Sequence, residues 1–297
     1  MKIILINPDY STYGDPPLGL AYLAGYIREK LPIIDITIFD QLEEKEILRR
    51  LKNENPEFIG LTAVSSNYYK VKNIAEKIKK IIPKSILVLG GVHVTTFPEC
   101  FKDSPFDIAI MGEGEIPIIH LLKSFNEKGK LDLKELSKIH GFMFRQKNKI
   151  VDTGLSEQIA NLDDIPLPAR DLLNMSYYTL PRFSSLDGID PIGSILTSRG
   201  CPYACKFCSS SSFWGRRIRF FSAKRVIDEI NLLYKKYGYR KIAIYDDLFS
   251  INKPRLKEIV KGLKEKGLIG KLDFAVYGRA NCFDEETAEL FKKMGIN

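Results

Sequence analysis

The stretch GSILTSRGCPYACKFC, residues 193–208, joins a strand-like segment to a loop that is crowded with cysteines. Its first six residues are small or apolar and predict a buried strand. Cys201, Cys205 and Cys208 follow directly, so the loop is expected at the carboxyl end of that strand. Three thiols this close favour a metal centre over disulfides, and three ligands on an iron–sulfur cubane would leave one iron open. The sequence therefore predicts an iron–sulfur site in which one iron is open to a further ligand.

Two other interpretations of the cysteines remain open. A structural zinc site would need a fourth ligand, which Cys100 or Cys282 could supply from elsewhere in the chain. Alternatively, the thiols could be free by coincidence.

The start of the chain lacks the pattern of a signal peptide, and no apolar run is long enough to cross a membrane. We therefore expect a cytoplasmic protein, where disulfides are rare.

Strand-like and helix-like segments alternate on both sides of the cysteine loop. Downstream, two more strands and three helices are expected, in the order AKRVIDEINLLYKKYG, KIAIYDD, KPRLKEIVKGLKEKG, KLDFAVYGR and DEETAELFKKMG. Upstream, apolar strands and amphipathic helices alternate from KIILIN to IAIMGEG. Such alternation predicts an α/β fold with a doubly wound parallel sheet first and a partial (β/α) barrel second.

Composition narrows the class of protein further. The 297 residues are 44% hydrophobic and 28% charged, which is typical of a globular chain and excludes a disordered or collagen-like one. The net charge of +8 comes mostly from Lys mixed with Glu, as expected of solvated helix faces. We therefore expect no nucleic-acid partner.

The cysteine loop resembles the hallmark of the radical S-adenosylmethionine (SAM) superfamily, Cys-x-x-x-Cys-x-aromatic-Cys after the first barrel strand. Arg199-Gly200-Cys201-Pro202 is also similar to the usual start of that motif. The resemblance implies a [4Fe-4S] cluster on the three cysteines and SAM on the open iron. It further implies that Phe207 lies against the adenine and that Asp246 or Asp247 faces the SAM amine. Arg279, at the end of the third strand, could meet a carboxylate.

The N-terminal half resembles the cobalamin-binding domain of one large radical SAM branch. The similarity rests on Asn7-Pro8, residues 17–20, Gly90-Gly91-Val92-His93 and residues 112–115, with the linker motif at residues 161–166. It implies a long pocket at the strand ends, where small residues let the nucleotide tail of cobalamin pass the backbone. The residues implied are Gly19, Thr62, Gly90, Gly91, His93, Gly112 and Glu113.

The chain departs from the cobalamin-binding pattern at one place. The position of the lower axial histidine holds Pro16, and the preceding aspartate position holds Gly14. The sequence therefore predicts cobalamin without a lower histidine ligand.

The resemblance implies a cobalamin-dependent radical SAM enzyme, most simply a methyltransferase. Three alternatives stay open: a cyclase or oxidoreductase of the same branch acting on a tetrapyrrole or lipid, a radical SAM enzyme without cobalamin, and a non-catalytic cobalamin or iron–sulfur protein. The enzyme would act on a small-molecule or lipid substrate and would need an electron donor such as a flavodoxin or ferredoxin.

Two domains joined by a linker are expected along the chain: a cobalamin-binding domain over 1–145, a linker over 146–190 and the first half of a barrel over 191–297. From Gly193 onward the sequence supplies three strand–helix units, whereas radical SAM cores usually have six. The sequence thus predicts a chain that is truncated within the barrel.

Overall fold

The computed structural model describes residues 1–8, 15–147, 149–178 and 191–296. The chain divides into two compact units. The N-terminal unit contains Met1–Thr12, Pro17–Ile159 and Ile165–Leu173, and the C-terminal unit contains Tyr13–Pro16, Ala160–Asp164 and Asn174–Asn297.

The N-terminal unit is built on a seven-stranded sheet. Its strands are β1 (Lys2–Ile6), β2 (Asp35–Phe39), β3 (Phe58–Thr62), β4 (Ile86–Gly90), β5 (Ile108–Ile110), β6 (Phe142–Gln146) and β7 (Lys149–Asp152). They are arranged in the order β2-β1-β3-β4-β5-β6-β7, the first five parallel and the last two antiparallel. The parallel part has the 2-1-3-4-5 order of flavodoxin-like folds, in which ligands bind outside the carboxyl ends of the strands.

Helices connect the strands of this sheet. They are α1 (Leu18–Lys30), α2 (Glu44–Glu54), α3 (Tyr68–Ile81), α4 (Val92–Thr96), α5 (Glu115–Lys128) and α6 (Leu133–Leu136). The apolar stripe of α3, which includes Val71, Ile74 and Ile78, packs in one core with Ile4 and Ile59 of the sheet. Central strands that are covered by helices read as continuous apolar runs, as the sequence of β1 does.

The C-terminal unit is built on a three-stranded parallel sheet. Its elements are α7 (Met175–Tyr178), β8 (Ile192–Ile195), β9 (Ser198–Arg199), α8 (Ser210–Phe213), β10 (Arg219–Phe220), α9 (Ala223–Tyr237), β11 (Lys241–Ile244), α10 (Lys253–Glu265), β12 (Asp273–Val276) and α11 (Glu285–Met294). The sheet order is β12-β11-β8, and β9 pairs with β10 in a separate antiparallel ribbon. Consecutive parallel strands with intervening helices confirm the predicted α/β class with two sheets.

The structure adds strands that the sequence patterns did not predict. β7 lies inside the range 146–190 that the sequence assigns to a linker, and it pairs with β6 at the edge of the sheet. β7 has only two apolar residues, and Ile150 is 40% exposed, so the strand has no burial pattern to recognise. Predicted linker residues 148 and 179–190 lie outside the described part of the chain.

Within the described residues, no helix has both the length and the apolar character needed to cross a membrane.

Candidate functional site

The cysteine loop leaves the sheet through a short, tightly held stem, residues 197–200. β8 ends at Ile195, and Ser198 and Arg199 pair with the ribbon strand β10. Gly200 has a φ of +92°, and a Cβ atom there would lie 2.2 Å from the carbonyl oxygen of Arg217. Only glycine satisfies both the left-handed backbone and this close approach. The residue before Cys201 is therefore fixed by local geometry.

The loop beyond the stem is open to solvent. Cys201 and Cys205 are half-buried, and Cys208 is exposed. A hydrogen bond from the Cys208 amide to the carbonyl of Cys205 (3.0 Å) closes one turn between the last two thiols. All three cysteines carry free thiols, and in the described ranges no three metal-ligating side chains are close enough to hold an ion. In this structure the three sulfur atoms of the loop are therefore too far apart to bind one ion together.

Arg279 reaches the cysteine loop from the end of β12. Its guanidinium lies 4.1 Å from the centroid of the Tyr203 ring and donates a hydrogen bond to Sγ of Cys205 (3.4 Å). The hydroxyl of Tyr203 in turn lies 3.1 Å from Sγ of Cys282. The structure thus places Arg279 and Cys282 beside the loop, as expected for residues at the carboxyl end of a neighbouring parallel strand.

Asp246 is in a different environment from the one predicted for it. It is 1% exposed, and its carboxylate accepts four hydrogen bonds from Thr197 and Ser198, two from amides and two from hydroxyls, at 2.5 to 3.0 Å. Burial raises the pKa of Asp246, whereas the hydrogen bonds from Thr197 and Ser198 lower it. Each carboxylate oxygen already accepts two bonds, so the structure does not present this acid to a ligand.

Asp247 and Phe207 are the accessible members of the predicted set. The Asp247 side chain is exposed and accepts a hydrogen bond from the hydroxyl of Ser210, just after the cysteine loop. Phe207 is 93% exposed, so no protein side chain shields its ring. Of the two neighbouring acids, Asp247 is therefore the one that faces the loop and solvent.

A second cluster of predicted residues lies at the carboxyl edge of the N-terminal sheet. Thr62 and Gly90 are register partners at the ends of β3 and β4. A Cβ atom built on Gly90 would meet nothing within 4 Å, and the same holds for Gly19 in the first turn of α1. Both glycines therefore face open space, Gly19 from an exposed position and Gly90 from a half-buried one.

Gly91 and His93 hold the turn after β4. Gly91 has a φ of +97°, and a Cβ there would lie 2.6 Å from the carbonyl oxygen of Ala63. His93 contacts the hydroxyl of Ser65 through Nδ1 (3.0 Å) and stacks on Tyr68 with ring centroids 4.2 Å apart. Partial burial lowers the pKa of His93. These contacts tie the ends of β3 and β4 together.

Gly112 follows β5 on the same edge. Its amide donates to Oγ1 of Thr95 (3.0 Å), whose hydroxyl donates to the carbonyl of Gly91 (3.0 Å). Glu113 is 5% exposed and lies two residues before the start of α5. The structure thus links the predicted residues Gly91, after β4, and Gly112, after β5, through the hydroxyl of Thr95. Pro16 is buried, and Gly14 lies outside the described residues.

The partners of the stem were not singled out from the sequence. Thr197, Ser198 and Arg255 carry no motif, and Arg255 reads as one more cation on a Lys-rich helix. In the structure Arg255 is 7% exposed and donates to the carbonyls of Phe221 (2.8 Å) and Thr197 (2.7 Å). The one available signal was a Thr-Ser pair immediately before the Arg-Gly-Cys sequence.

Two known families match the two halves of the chain. Residues 10–122 match the B12 binding domain, and residues 195–297 match the radical SAM superfamily. The two matches cover, respectively, the glycine-bordered edge and the cysteine loop.

Curated relatives align with the whole of this chain. The uncharacterized methyltransferase PH0819 of Pyrococcus horikoshii is 36% identical over all of this chain and 64% of its own length. An anaerobic magnesium-protoporphyrin IX monomethyl ester cyclase of Cereibacter sphaeroides is 25% identical over all of this chain and 49% of its own length. The chain therefore spans about half to two thirds of the length of these relatives.

Solved structures agree on the fold. The cobalamin-dependent SAM radical enzyme OxsB, with aqua-cobalamin and SAM bound, matches all of this chain and 43% of its own with a TM-score of 0.82 at 19% identity. The radical SAM methyltransferase TsrM of Kitasatospora setae matches all of this chain and 58% of its own with a TM-score of 0.76 at 21% identity.

Proposed function

The chain belongs to the cobalamin-binding branch of the radical SAM superfamily, and we propose that it is the cofactor-binding part of a cobalamin-dependent methyltransferase. One observation carries the proposal: a three-cysteine loop after the first strand of one sheet and a glycine-bordered edge of a flavodoxin-like sheet occur in a single chain. The methyltransferase PH0819, at 36% identity over all of this chain, supports methyl transfer over other radical chemistry.

The residues of the C-terminal unit suit an iron–sulfur cluster by their donor chemistry. Cys201, Cys205 and Cys208 supply three soft thiolate ligands from one loop, which is the ligand type that such clusters take. Cys208 is exposed and Cys201 and Cys205 are half-buried, so a cluster would reach all three thiols from the solvent side of the loop.

The residues of the N-terminal unit suit cobalamin by the space that they leave. Gly19 and Gly90 face open space, and Thr62 lies beside Gly90 with its hydroxyl-bearing side chain half-buried. Gly91, Gly112 and His93 hold the surrounding turns. We propose that this edge takes the nucleotide tail of cobalamin, with no histidine beneath the cobalt because Pro16 occupies that position.

In the assembled enzyme, the cluster would supply the electron that cleaves SAM, and cobalamin would carry the methyl group. This chain's part is to hold and orient these groups. Asp247, whose side chain is exposed, would accept a hydrogen bond from the SAM amine, since a carboxylate pairs naturally with an ammonium. Phe207 offers an exposed ring to the adenine, and Arg279 stays available to a carboxylate at the edge of the loop.

We propose a small-molecule or lipid substrate, a flavodoxin-like or ferredoxin-like electron donor and a cytoplasmic location. The thiols need a reducing compartment to stay available as ligands, which supports the location. The cyclase of Cereibacter sphaeroides, which also aligns over the whole chain, makes radical cyclisation the second candidate.

The test is reductive cleavage of SAM by the anaerobic protein. The 297-residue chain, reconstituted with iron, sulfide and cobalamin, is incubated with SAM and dithionite, and 5′-deoxyadenosine and S-adenosylhomocysteine are quantified. A methyltransferase releases both compounds, whereas a cyclase releases only the former. Because the chain is proposed as the cofactor-binding part, release of neither compound would assign turnover to a longer enzyme. Failure of the chain to hold either cofactor would contradict the proposal and leave no support for an enzymatic role. The Cys201→Ala chain is the matched negative control.

A further inference from the structure

A pair of buried, oppositely charged side chains holds the stem of the cysteine loop from two sides. The carboxylate of Asp246 accepts hydrogen bonds from the amide (2.6 Å) and hydroxyl (2.5 Å) of Thr197. The guanidinium of Arg255 donates to the carbonyl of the same residue (2.7 Å). Both peptide groups of Thr197 are therefore bound by a charged side chain, four residues before Cys201.

The contacts continue toward the loop. Asp246 also accepts from the amide (3.0 Å) and hydroxyl (2.7 Å) of Ser198. Arg255 bonds the carbonyl of Phe221 (2.8 Å), which follows β10, the partner strand of β9. One pair of side chains thus fastens both strands of the ribbon from which the cysteine loop springs.

A gain in folding stability does not by itself explain why these two charged side chains are buried. Asp246 is 1% exposed and Arg255 is 7% exposed, and removing such charges from water carries a large desolvation cost. Apolar side chains of similar volume often stabilise a fold as well or better. Charged hydrogen bonds, however, are stronger and more directional than apolar contacts, so they fix a backbone in place.

We propose that Asp246 and Arg255 are positioning residues for the iron–sulfur cluster: they hold the stem so that Cys201 is presented at a fixed place. The proposal rests on the proposed function, and it gives Asp246 a task other than contact with SAM. Gly200 restricts the stem further. A Cβ atom at this position would lie 2.2 Å from the carbonyl oxygen of Arg217, so the backbone just before Cys201 is closely confined. Asp247, exposed and next in sequence, keeps the role of the ligand-facing acid.

The test compares loss of the cluster from reconstituted variants. The wild-type chain and the Asp246→Asn, Arg255→Lys, Asp247→Asn and Asp284→Ala variants are loaded with iron and sulfide under anaerobic conditions. Cluster loss to a chelator is followed by absorbance, and the reduced cluster is examined by EPR with and without SAM. Circular dichroism of the apo forms reports folding. Asp284 caps α11 through the Thr287 amide (3.0 Å), so its variant controls for general destabilisation.

We expect Asp246→Asn and Arg255→Lys to lose the cluster about 10-fold faster or more, the effect usual for removing a residue that orients a metal ligand. The EPR spectrum of their reduced cluster should also change without SAM, which a purely structural role would not produce. Asp247→Asn should keep the wild-type spectrum without SAM and lose the change that SAM induces. Asp284→Ala should lower only the thermal midpoint.

Thr197→Val keeps both charges and the side-chain shape while deleting one of the four bonds to Asp246, so it serves if Asp246→Asn does not fold. It should show a smaller acceleration of cluster loss. Wild-type rates and spectra in folded Asp246→Asn or Thr197→Val would overturn the positioning role, as would an Asp246→Asn chain that loses only its response to SAM. A wild-type chain that takes up no iron and sulfide would overturn the proposed function as well.

Discussion

At the scale of single residues, the five cysteines divide into ligands and bystanders. We predict that changing Cys201, Cys205 or Cys208 to Ala abolishes the broad absorption near 400 nm of the reconstituted chain, because each removal leaves two thiolates for a cluster that needs three. Iron and sulfide content per chain, measured after desalting, is the accompanying readout. Cys100→Ala is the matched control, since Cys100 packs against the N-terminal core.

The Cys282→Ala variant distinguishes a cluster with three protein ligands from one with four. Its thiol lies 3.1 Å from the hydroxyl of Tyr203, within the surroundings of the loop. We expect Cys282→Ala to keep its cluster. Loss of the cluster in this variant would identify a fourth protein ligand, and the site would then be closed and structural.

Two glycines of the N-terminal unit act as steric probes for cobalamin. We predict that Gly19→Ala and Gly90→Ala leave the fold intact, because an added Cβ meets no protein atom within 4 Å at either position. The same methyl group would occupy space assigned to the nucleotide tail, so corrinoid uptake should fall. Equilibrium dialysis against cobalamin measures the uptake, and circular dichroism measures the fold.

Gly91→Ala is the contrasting variant. Its φ of +97° and the neighbouring carbonyl of Ala63 make the methyl group a source of strain. Destabilisation of roughly 1 kcal/mol or more is expected for Ala at a left-handed position. Undiminished corrinoid uptake by both Gly19→Ala and Gly90→Ala would place the tail elsewhere.

The sequence located the candidate residues better than it assigned their roles. The resemblance to the radical SAM motif pointed to Asp246 or Asp247 at the strand end after KIAIY, and in the structure both acids bond to residues that flank the cysteine loop. Which acid faces inward could not be read, since adjacent residues at a strand end point in opposite directions and the turn decides between them. Asp246 turned inward because Thr197 and Ser198 offer it four hydrogen-bond donors.

At the scale of elements, the β9–β10 ribbon fixes the place at which the cysteine loop begins. We predict that Gly200→Ala prevents normal cluster retention, because the new Cβ would lie 2.2 Å from the carbonyl oxygen of Arg217 and would force the loop away from the ribbon. Cluster loss to a chelator should accelerate even where circular dichroism shows a folded chain. Gly215→Ala is the control: its φ is +72°, yet no atom lies within 4 Å of the added carbon.

An element-level prediction of this kind needs the structure. The strands with long apolar runs and the helices with a regular stripe were evident in the sequence, and β1, β3, β4, α3 and α9 lie where the patterns indicated. β9 and β10 have two residues each, too few for any periodicity. Their pairing depends on Gly200 and on the charges of Asp246 and Arg255, which are contacts between segments far apart in sequence.

At the scale of the whole molecule, the two candidate sites lie in separate compact units with separate cores. We predict that they load independently: the Cys201→Ala chain should take up cobalamin as the wild type does, and the Gly90→Ala chain should take up iron and sulfide as the wild type does. Metal analysis and corrinoid absorbance on the same sample give both occupancies. Loss of both cofactors from either variant would contradict independent sites.

A second prediction for the whole chain concerns the ligand on the lower face of the bound corrinoid. Its three histidines are His93, His120 and His140, and the proposed alignment puts Pro16, not a histidine, at the axial position. We predict that EPR of the Co(II) form shows no nitrogen coupling from a lower imidazole, in wild type and His93→Ala alike. Strong coupling that disappears in His93→Ala would overturn the assignment of the edge.

The cofactor content of the anaerobically reconstituted protein tests the central claim most directly. Iron, acid-labile sulfide, zinc and corrinoid are quantified per chain after gel filtration. The account predicts four irons with matching sulfide and one corrinoid per chain, with no zinc retained. Zinc held in place of iron and sulfide, together with no corrinoid, would contradict it.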